Sequence, residues 1–113
     1  MHEASIAQNL LEIALKKAKD HNAKKITLIR IKVGEFAGIN NASLEFAFKN
    51  LCNETIAEGA VLKILNSPLQ AQCTKCKLIF DIKKDEFKCL KCNSVEIDII
   101  SGYDLYVQDI EIE

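Results

Sequence analysis

The sequence predicts an α+β fold in which two helices pack on a three-stranded sheet and a module of four cysteines is inserted before the last strand. Three observations support this prediction. Apolar residues recur at helical spacing in two segments, β-branched residues concentrate in three others, and four of the five cysteines fall between residues 73 and 92. The length of 113 residues is about that of one domain, with room for a small added module.

The first two elements are a helix and a strand. A helix is expected from Ala4 to about Asp20, because apolar residues there recur at spacings of three and four and so form one face. These residues are Ile6, Leu10, Ile13, Ala14 and Ala18. After a polar turn, the β-branched run ITLIRIKVG predicts a strand that ends at Gly34.

A second helix and a second strand follow. The segment GINN indicates a loop that ends in an asparagine helix cap. The apolar stripe of the next helix is Leu44, Ala47, Phe48, Leu51 and Cys52. Because Cys52 lies on this stripe, we interpret it as a buried core thiol and not as a metal ligand. The run AVLKILN after Gly59 predicts the second strand, and Pro68 ends it.

The last segment returns to strand composition after the cysteines, and Gly102 within it indicates a bulge or bend. A strand alone at the end of the chain cannot bury its apolar face, so we expect it to rejoin the first sheet. The cysteine module is then an insertion. We therefore predict one domain of residues 1–68 plus 97–113 and an inserted domain of residues 69–96.

Composition excludes several classes of protein. The net charge of −1 and the pI of about 6.1 argue against a protein that mainly grips a phosphate backbone. No apolar run is long enough to span a membrane, and the N-terminal residues lack the pattern of a secretory signal. We therefore expect a cytoplasmic protein with no membrane partner. Under reducing conditions its cysteines are better explained as metal ligands than as disulfides.

The four clustered cysteines form two C-x-x-C pairs, Cys73 with Cys76 and Cys89 with Cys92. Two such turns that face each other supply four thiolates at tetrahedral corners, the arrangement of a zinc ribbon. Iron is the less favoured metal, because the glycine and proline neighbours typical of rubredoxin-type turns are missing. A closed four-cysteine site has no position for water or substrate, so the predicted zinc is structural.

The amino terminus offers a second set of metal ligands. The amine of Met1, the amide and imidazole nitrogens of His2, and the amide and carboxylate of Glu3 can surround one ion, and nitrogen donors in a plane suit Ni²⁺ or Cu²⁺. A histidine at the second position is also commonly a plain exposed residue. His21 lies in a lysine- and asparagine-rich turn and is interpreted as exposed without a metal role.

Taken together, the opening MHEASIAQNLLEIA, the run IRIKVGEFAGIN and the late pairs CTKC and CLKC resemble the HypA family. Members of that family are nickel metallochaperones of [NiFe]-hydrogenase maturation. The resemblance implies an α/β nickel domain and an inserted zinc domain. It implies a nickel site at Met1, His2 and Glu3, with His2 the essential ligand, and a structural zinc site at the four cysteines.

The same resemblance implies a carrier and not an enzyme, with Ni(II) as transferable cargo. The implied partners are a HypB-type GTPase and the hydrogenase large subunit. Because some relatives also serve urease, urease accessory proteins are a further implied partner class. No nucleophile–base pair, carboxylate pair or glycine-rich phosphate loop stands out in the chain, which agrees with a protein that is not an enzyme.

Two other functions fit part of the pattern. A zinc-ribbon module that binds nucleic acid or the transcription machinery is the main alternative, and the acidic pI and the single arginine count against it. A small redox protein would use one exposed C-x-x-C pair, whereas two symmetric pairs favour a shared metal.

Overall fold

The computed structural model describes residues 3–84 and 86–113. The elements in chain order are α1 (Glu3–Asp20), β1 (Ile26–Gly34), α2 (Asn41–Leu51), β2 (Val61–Ser67), β3 (Gln70–Cys73), β4 (Ile79–Asp81), β5 (Ile97–Ser101) and β6 (Leu105–Ile112). The strands form two three-stranded sheets, ordered β2-β1-β6 and β4-β3-β5. The predicted fold class, two helices on a three-stranded sheet with an inserted cysteine module, is confirmed. Within the described ranges, neither helix has the length and apolar character needed to cross a membrane.

Strand β1 is the centre of the first sheet. It pairs in parallel with β2, with α2 as the connection between them, and antiparallel with β6. Ile29, Ile31 and Val33 alternate along β1 and are fully buried, whereas Arg30 and Lys32 between them are half-buried on the other face. The final strand does rejoin this sheet, as the burial argument predicted.

The two helices bury one face against this sheet. From α1 the buried residues are Ala7, Leu10, Leu11, Ala14 and Ala18, and from α2 they are Leu44 and Phe48. Ile13 was predicted on the buried face but is 45% exposed. The buried face of α1 is centred on Ala7, Ala14 and Ala18, which are 0% exposed, and Ile13 lies outside it.

The second sheet has its own small core of Leu69, Ala71, Cys73, Phe80, Ile82 and Cys89. Residues 97–113 were predicted to belong together with the first domain. In the structure, however, Ile97–Ser101 pairs antiparallel with β3 in the second sheet, and the chain enters the first sheet only at Leu105. The change of sheet occurs at Gly102, whose φ of +116° is open to glycine and rare for other residues. The second sheet therefore extends past residue 96.

The two sheets meet at a junction made of residues 34–36, 67–69 and 101–104. The Phe36 N–H donates to the Gly102 carbonyl at 2.8 Å, and the Gly34 N–H donates to the Asp104 carbonyl at 2.6 Å. The Ser67 hydroxyl donates to the Asp104 carboxylate at 2.6 Å. The Phe36 ring contacts Tyr103 edge-on, with ring centroids 5.7 Å apart. The junction is therefore a hydrogen-bonded connection between the sheets.

Candidate metal centre

The two C-x-x-C segments form the same turn twice. The N–H of Lys77 donates to the carbonyl of Cys73, and the N–H of Asn93 donates to the carbonyl of Cys89, both at 3.0 Å. Lys77 and Asn93 have positive φ values of 67° and 61°, which reverse the chain after each second cysteine. Leu78 then accepts from the Cys73 N–H at 2.9 Å. Because the two turns match, Cys73 corresponds to Cys89, and Cys76 corresponds to Cys92.

The four sulfur atoms lie where one metal ion could bind all of them. All four Sγ atoms are within 4.8 Å of one another. The distance is 3.6 Å between the Sγ atoms of Cys73 and Cys92, and 3.5 Å between those of Cys76 and Cys89. A tetrahedral zinc with Zn–S bonds of about 2.3 Å would place its sulfurs about 3.8 Å apart. The four predicted cysteines therefore form a cluster that fits one such ion.

Backbone N–H groups favour the thiolate form at two of these sulfurs. The N–H of Cys76 donates to the Sγ of Cys73 at 3.5 Å and lowers the pKa of Cys73. The N–H groups of Cys92 and Lys91 donate to the Sγ of Cys89 at 3.5 and 3.4 Å, and together they lower the pKa of Cys89 to about 6. A thiolate is the form of cysteine that binds metal.

The thiol of Cys92 shifts in the opposite direction. The N–H of Ser94 lowers the pKa of Cys92, but desolvation and the neighbouring thiols outweigh it and raise that pKa to about 11. Four thiolates this close repel one another, and a bound divalent ion removes the repulsion and lets all four ionise. The donor set is soft and closed, which suits zinc in a structural role.

The four cysteines differ in their exposure to solvent. Cys73 and Cys89 are 0% exposed and belong to the core of the second sheet, whereas Cys76 and Cys92 are exposed. Each turn thus supplies one buried and one exposed ligand. The spacing of cysteines in the sequence does not reveal this difference.

The predicted nickel ligands are placed only in part, since Met1 and His2 lie outside the described residues. Glu3 begins α1, and its carboxylate accepts the N–H of Asn40 at 3.3 Å. Asn40 is the N-cap of α2, as predicted, and its Oδ1 accepts the N–H of Ser43 at 2.9 Å. The Glu3 carboxylate therefore lies at the positive end of α2, where the helix dipole stabilises a negative charge.

The contact between Glu3 and Asn40 was not predicted. The GINN segment indicated the cap, but the partner of a backbone N–H across 37 residues depends on how the two helices pack. Of the residues that the structure describes, only the four cysteines form a group of three or more metal-binding side chains.

Two other predictions concern the solvent exposure of residues outside the cysteine cluster, and in both cases the predicted exposure is confirmed. Cys52 is a core thiol, only 4% exposed, and burial raises its pKa to about 11. His21 is exposed just after α1.

Comparison with known proteins identifies one family model and several relatives that match nearly the whole chain. The family model described as "Hydrogenase/urease nickel incorporation, metallochaperone, hypA" matches residues 1–112. The hydrogenase maturation factor HypA of Francisella philomiragia is 36% identical over 110 residues, which cover 97% of each chain. The hydrogenase maturation factor HybF of Escherichia coli is 30% identical over 113 residues, which cover all of both chains.

Solved structures agree in fold. The solution structure of the Ni metallochaperone HypA from Helicobacter pylori superposes with a TM-score of 0.71 at 24% identity, covering 99% of this chain and 97% of that one. Another solution structure, of a HypA protein, superposes with a TM-score of 0.76 at 25% identity, covering 100% and 97%. Because the family model and the relatives span the chain almost from end to end, this protein belongs to the HypA family of nickel metallochaperones and hydrogenase maturation factors.

Proposed function

We propose that this protein carries Ni(II) to the large subunit of [NiFe]-hydrogenase during maturation, and that it holds one structural Zn(II). The main support is the family match over residues 1–112, whose description names nickel incorporation. On this proposal the protein is a carrier in the cytoplasm and catalyses no reaction of its own. A HypB-type GTPase and the large subunit are its partners, and urease accessory proteins are a further partner class.

The zinc has a folding role in this proposal. Among the residues that the structure describes, the core of the second sheet contains six buried residues, two of which are metal-site cysteines. Such a core is too small to stabilise a fold alone, so metal binding supplies part of the folding free energy. With Cys73, Cys76, Cys89 and Cys92 all bound, zinc has no open position at which nickel or water could bind.

The nickel site consists, in our proposal, of Met1, His2 and Glu3. The Met1 amine, the backbone amides and the His2 imidazole together offer the planar nitrogen donors that suit Ni²⁺. The contact between the Glu3 carboxylate and the Asn40 N–H supports this site, because it attaches the beginning of α1 to the N-terminal end of α2.

One pair of variants tests the nickel site. We expect His2→Ala to abolish high-affinity nickel binding and His21→Ala to leave it intact, because His21 is an exposed residue after α1 with no proposed ligand role. Calorimetric titration of zinc-loaded protein with Ni²⁺ measures both affinities, and elemental analysis measures zinc. We expect one zinc per chain in both variants. Equal nickel affinity for His2→Ala and the native protein would refute the amino-terminal site.

A second comparison tests the free amine. A Gly-Ser extension before Met1 turns the amine into an amide, which binds metal only after losing a proton. We expect this extension to weaken nickel binding at least about tenfold, or about 1.4 kcal/mol, while the same two residues added after Glu113 have no effect. Equal affinity of the two extended proteins would show that the amine is not a ligand.

Delivery requires a separate measurement. Nickel-loaded protein is mixed with the nickel-free large-subunit precursor, with and without the HypB-type GTPase, and the metal content of the re-isolated precursor is measured. We expect transfer from the native protein and none from His2→Ala. Transfer from His2→Ala at the native rate would contradict delivery through this site.

A further inference from the structure

The cysteine cluster is open to solvent in a specific pattern. Cys76 and Cys92 are exposed, whereas Cys73 and Cys89 are fully buried. Each exposed cysteine has the sulfur of a buried cysteine of the other turn beside its own: the Sγ of Cys76 is 3.5 Å from that of Cys89, and the Sγ of Cys92 is 3.6 Å from that of Cys73. Every exposed ligand therefore has a buried ligand within reach.

We propose that this cluster is a site of peroxide modification, at which the exposed thiolates of Cys76 and Cys92 react first and the buried thiolates beside them complete two disulfides. The inference rests on the proposed zinc site and goes beyond it, because it assigns different reactivity to ligands that are equivalent in the sequence pattern. The products are a Cys76–Cys89 disulfide, a Cys73–Cys92 disulfide and free Zn²⁺.

The chemistry balances for each pair. The exposed thiolate attacks one oxygen of hydrogen peroxide, the O–O bond breaks, and a sulfenic acid and hydroxide form. The buried thiolate then attacks the sulfenic sulfur, an S–S bond forms, and the second oxygen leaves as hydroxide. Two thiolates have lost two electrons, and one peroxide has gained them. A disulfide sulfur is a poor zinc ligand, so the ion leaves.

Access determines the order of reaction. A peroxide molecule must approach a sulfur from solvent, and of the four cysteines only Cys76 and Cys92 are exposed residues. Cys73 and Cys89 are enclosed by the core of the second sheet and reach an oxidised sulfur only from the inside. They can therefore act as resolving thiolates and not as the first site of attack.

Cys52, the fifth cysteine, serves as an internal control for oxidation. Cys52 is 4% exposed, lies in the core of the first sheet and belongs to a different buried cluster. Burial also keeps it in the less reactive thiol form. We therefore expect Cys52 to stay reduced while the cluster oxidises.

Trypsin separates the four cysteines onto different peptides, so the linked peptides identify which disulfides have formed. It cleaves after Lys75, between Cys73 and Cys76, and after Lys91, between Cys89 and Cys92. The proposed pairs join the peptide of residues 64–75 to that of residues 92–113, and the peptide of residues 76–77 to that of residues 89–91. Disulfides within each turn would instead join different peptides.

The experiment uses the full chain loaded with zinc, with its metal content measured beforehand. Hydrogen peroxide is added in steps, a chromogenic chelator records zinc release, dimedone traps sulfenic acids, and mass spectrometry of tryptic peptides locates both products. We expect dimedone on Cys76 and Cys92 at early times. Full loss of zinc should accompany the two disulfides between the turns, and the Cys52→Ala variant should release zinc at the native rate.

The outcomes separate this inference from the proposed function. A chain that binds no zinc before peroxide is added would refute the proposed zinc site. A chain that binds zinc but shows first trapping on Cys73 or Cys89, disulfides within each turn, or slower zinc release from Cys52→Ala would refute the peroxide inference and leave the zinc site intact.

Discussion

Replacing Gly34 by alanine should destabilise the protein at the junction between its two sheets. Gly34 ends β1 and lies against Gly102, where the chain passes from the second sheet back to the first. A Cβ atom added at Gly34 would overlap the carbonyl carbon and oxygen of Gly102 and lie 2.6 Å from the backbone nitrogen of Tyr103. All three are backbone atoms, so no side-chain rotation relieves the overlap.

The loss in the free energy of unfolding can be estimated from the backbone segments that must separate. Separating the two backbone segments lengthens the hydrogen bond from Phe36 to Gly102 and the one from Gly34 to Asp104, each worth about 1 kcal/mol. Overpacking adds about 1–3 kcal/mol. The lower entropy of the unfolded alanine variant offsets about 0.4–1 kcal/mol of this. The net loss in the free energy of unfolding is about 3 kcal/mol.

Gly38→Ala is the matched control. Gly38 has a φ of +74° and no atom within 4 Å of an added Cβ, so its replacement costs the strain of a left-handed alanine, about 1–2 kcal/mol, less the same entropy offset of about 0.4–1 kcal/mol. Both variants change glycine to alanine and alter the unfolded chain equally. Thermal unfolding of the zinc-loaded proteins, followed by far-ultraviolet circular dichroism, should place Gly34→Ala at least about 10 °C below the native protein and clearly below Gly38→Ala. A midpoint for Gly34→Ala at or above that of Gly38→Ala would refute the steric argument.

Two further predictions concern the first domain. Burial raises the pKa of Cys52 to about 11 from its ordinary value near 9, so the neutral thiol contributes stability that is present below pH 9 and is lost as the pH rises toward 11. Urea unfolding at several pH values should show that the free energy of unfolding falls more steeply with pH for the native protein than for Cys52→Ala. Parallel falls in the two proteins would contradict the burial effect. Asn40→Ala removes the N-cap of α2 and should lower the free energy of unfolding by about 1 kcal/mol. Asn40→Ser keeps a capping oxygen and should retain most of that stability. Equal stability of the two variants in urea would show that the cap contributes little.

Local patterns made most of the fold predictable. The alternation of Ile29, Ile31 and Val33 with Arg30 and Lys32 reports a strand with two different faces, and the structure buries the first three. The asparagine cap and the stripe of the second helix are likewise contained within a few residues of chain. A pattern of this kind predicts an element well because the interactions that form it are themselves local.

Predictions that depended on neighbours were less accurate. Ile13 has a spacing compatible with the buried face of α1, yet it is 45% exposed, because the face that packs is centred on Ala7, Ala14 and Ala18. Ile97–Ser101 has strand composition that suits either sheet, and pairing with β3 assigned it to the second. Neither outcome can be read from a single segment, since each depends on which surface is available for packing.

The sequence by itself determined which residues can form the cysteine cluster, because two C-x-x-C turns and their spacing are properties of the local chain. It also determined that Cys52 would be buried away from that cluster, because helical spacing places it on an apolar stripe. Only the tertiary structure decided that Cys73 and Cys89 are enclosed while Cys76 and Cys92 face solvent, and that the Glu3 carboxylate meets the end of α2. Solvent exposure and contacts across the fold are set by long-range packing of strands and helices, and no spacing along the chain encodes them directly.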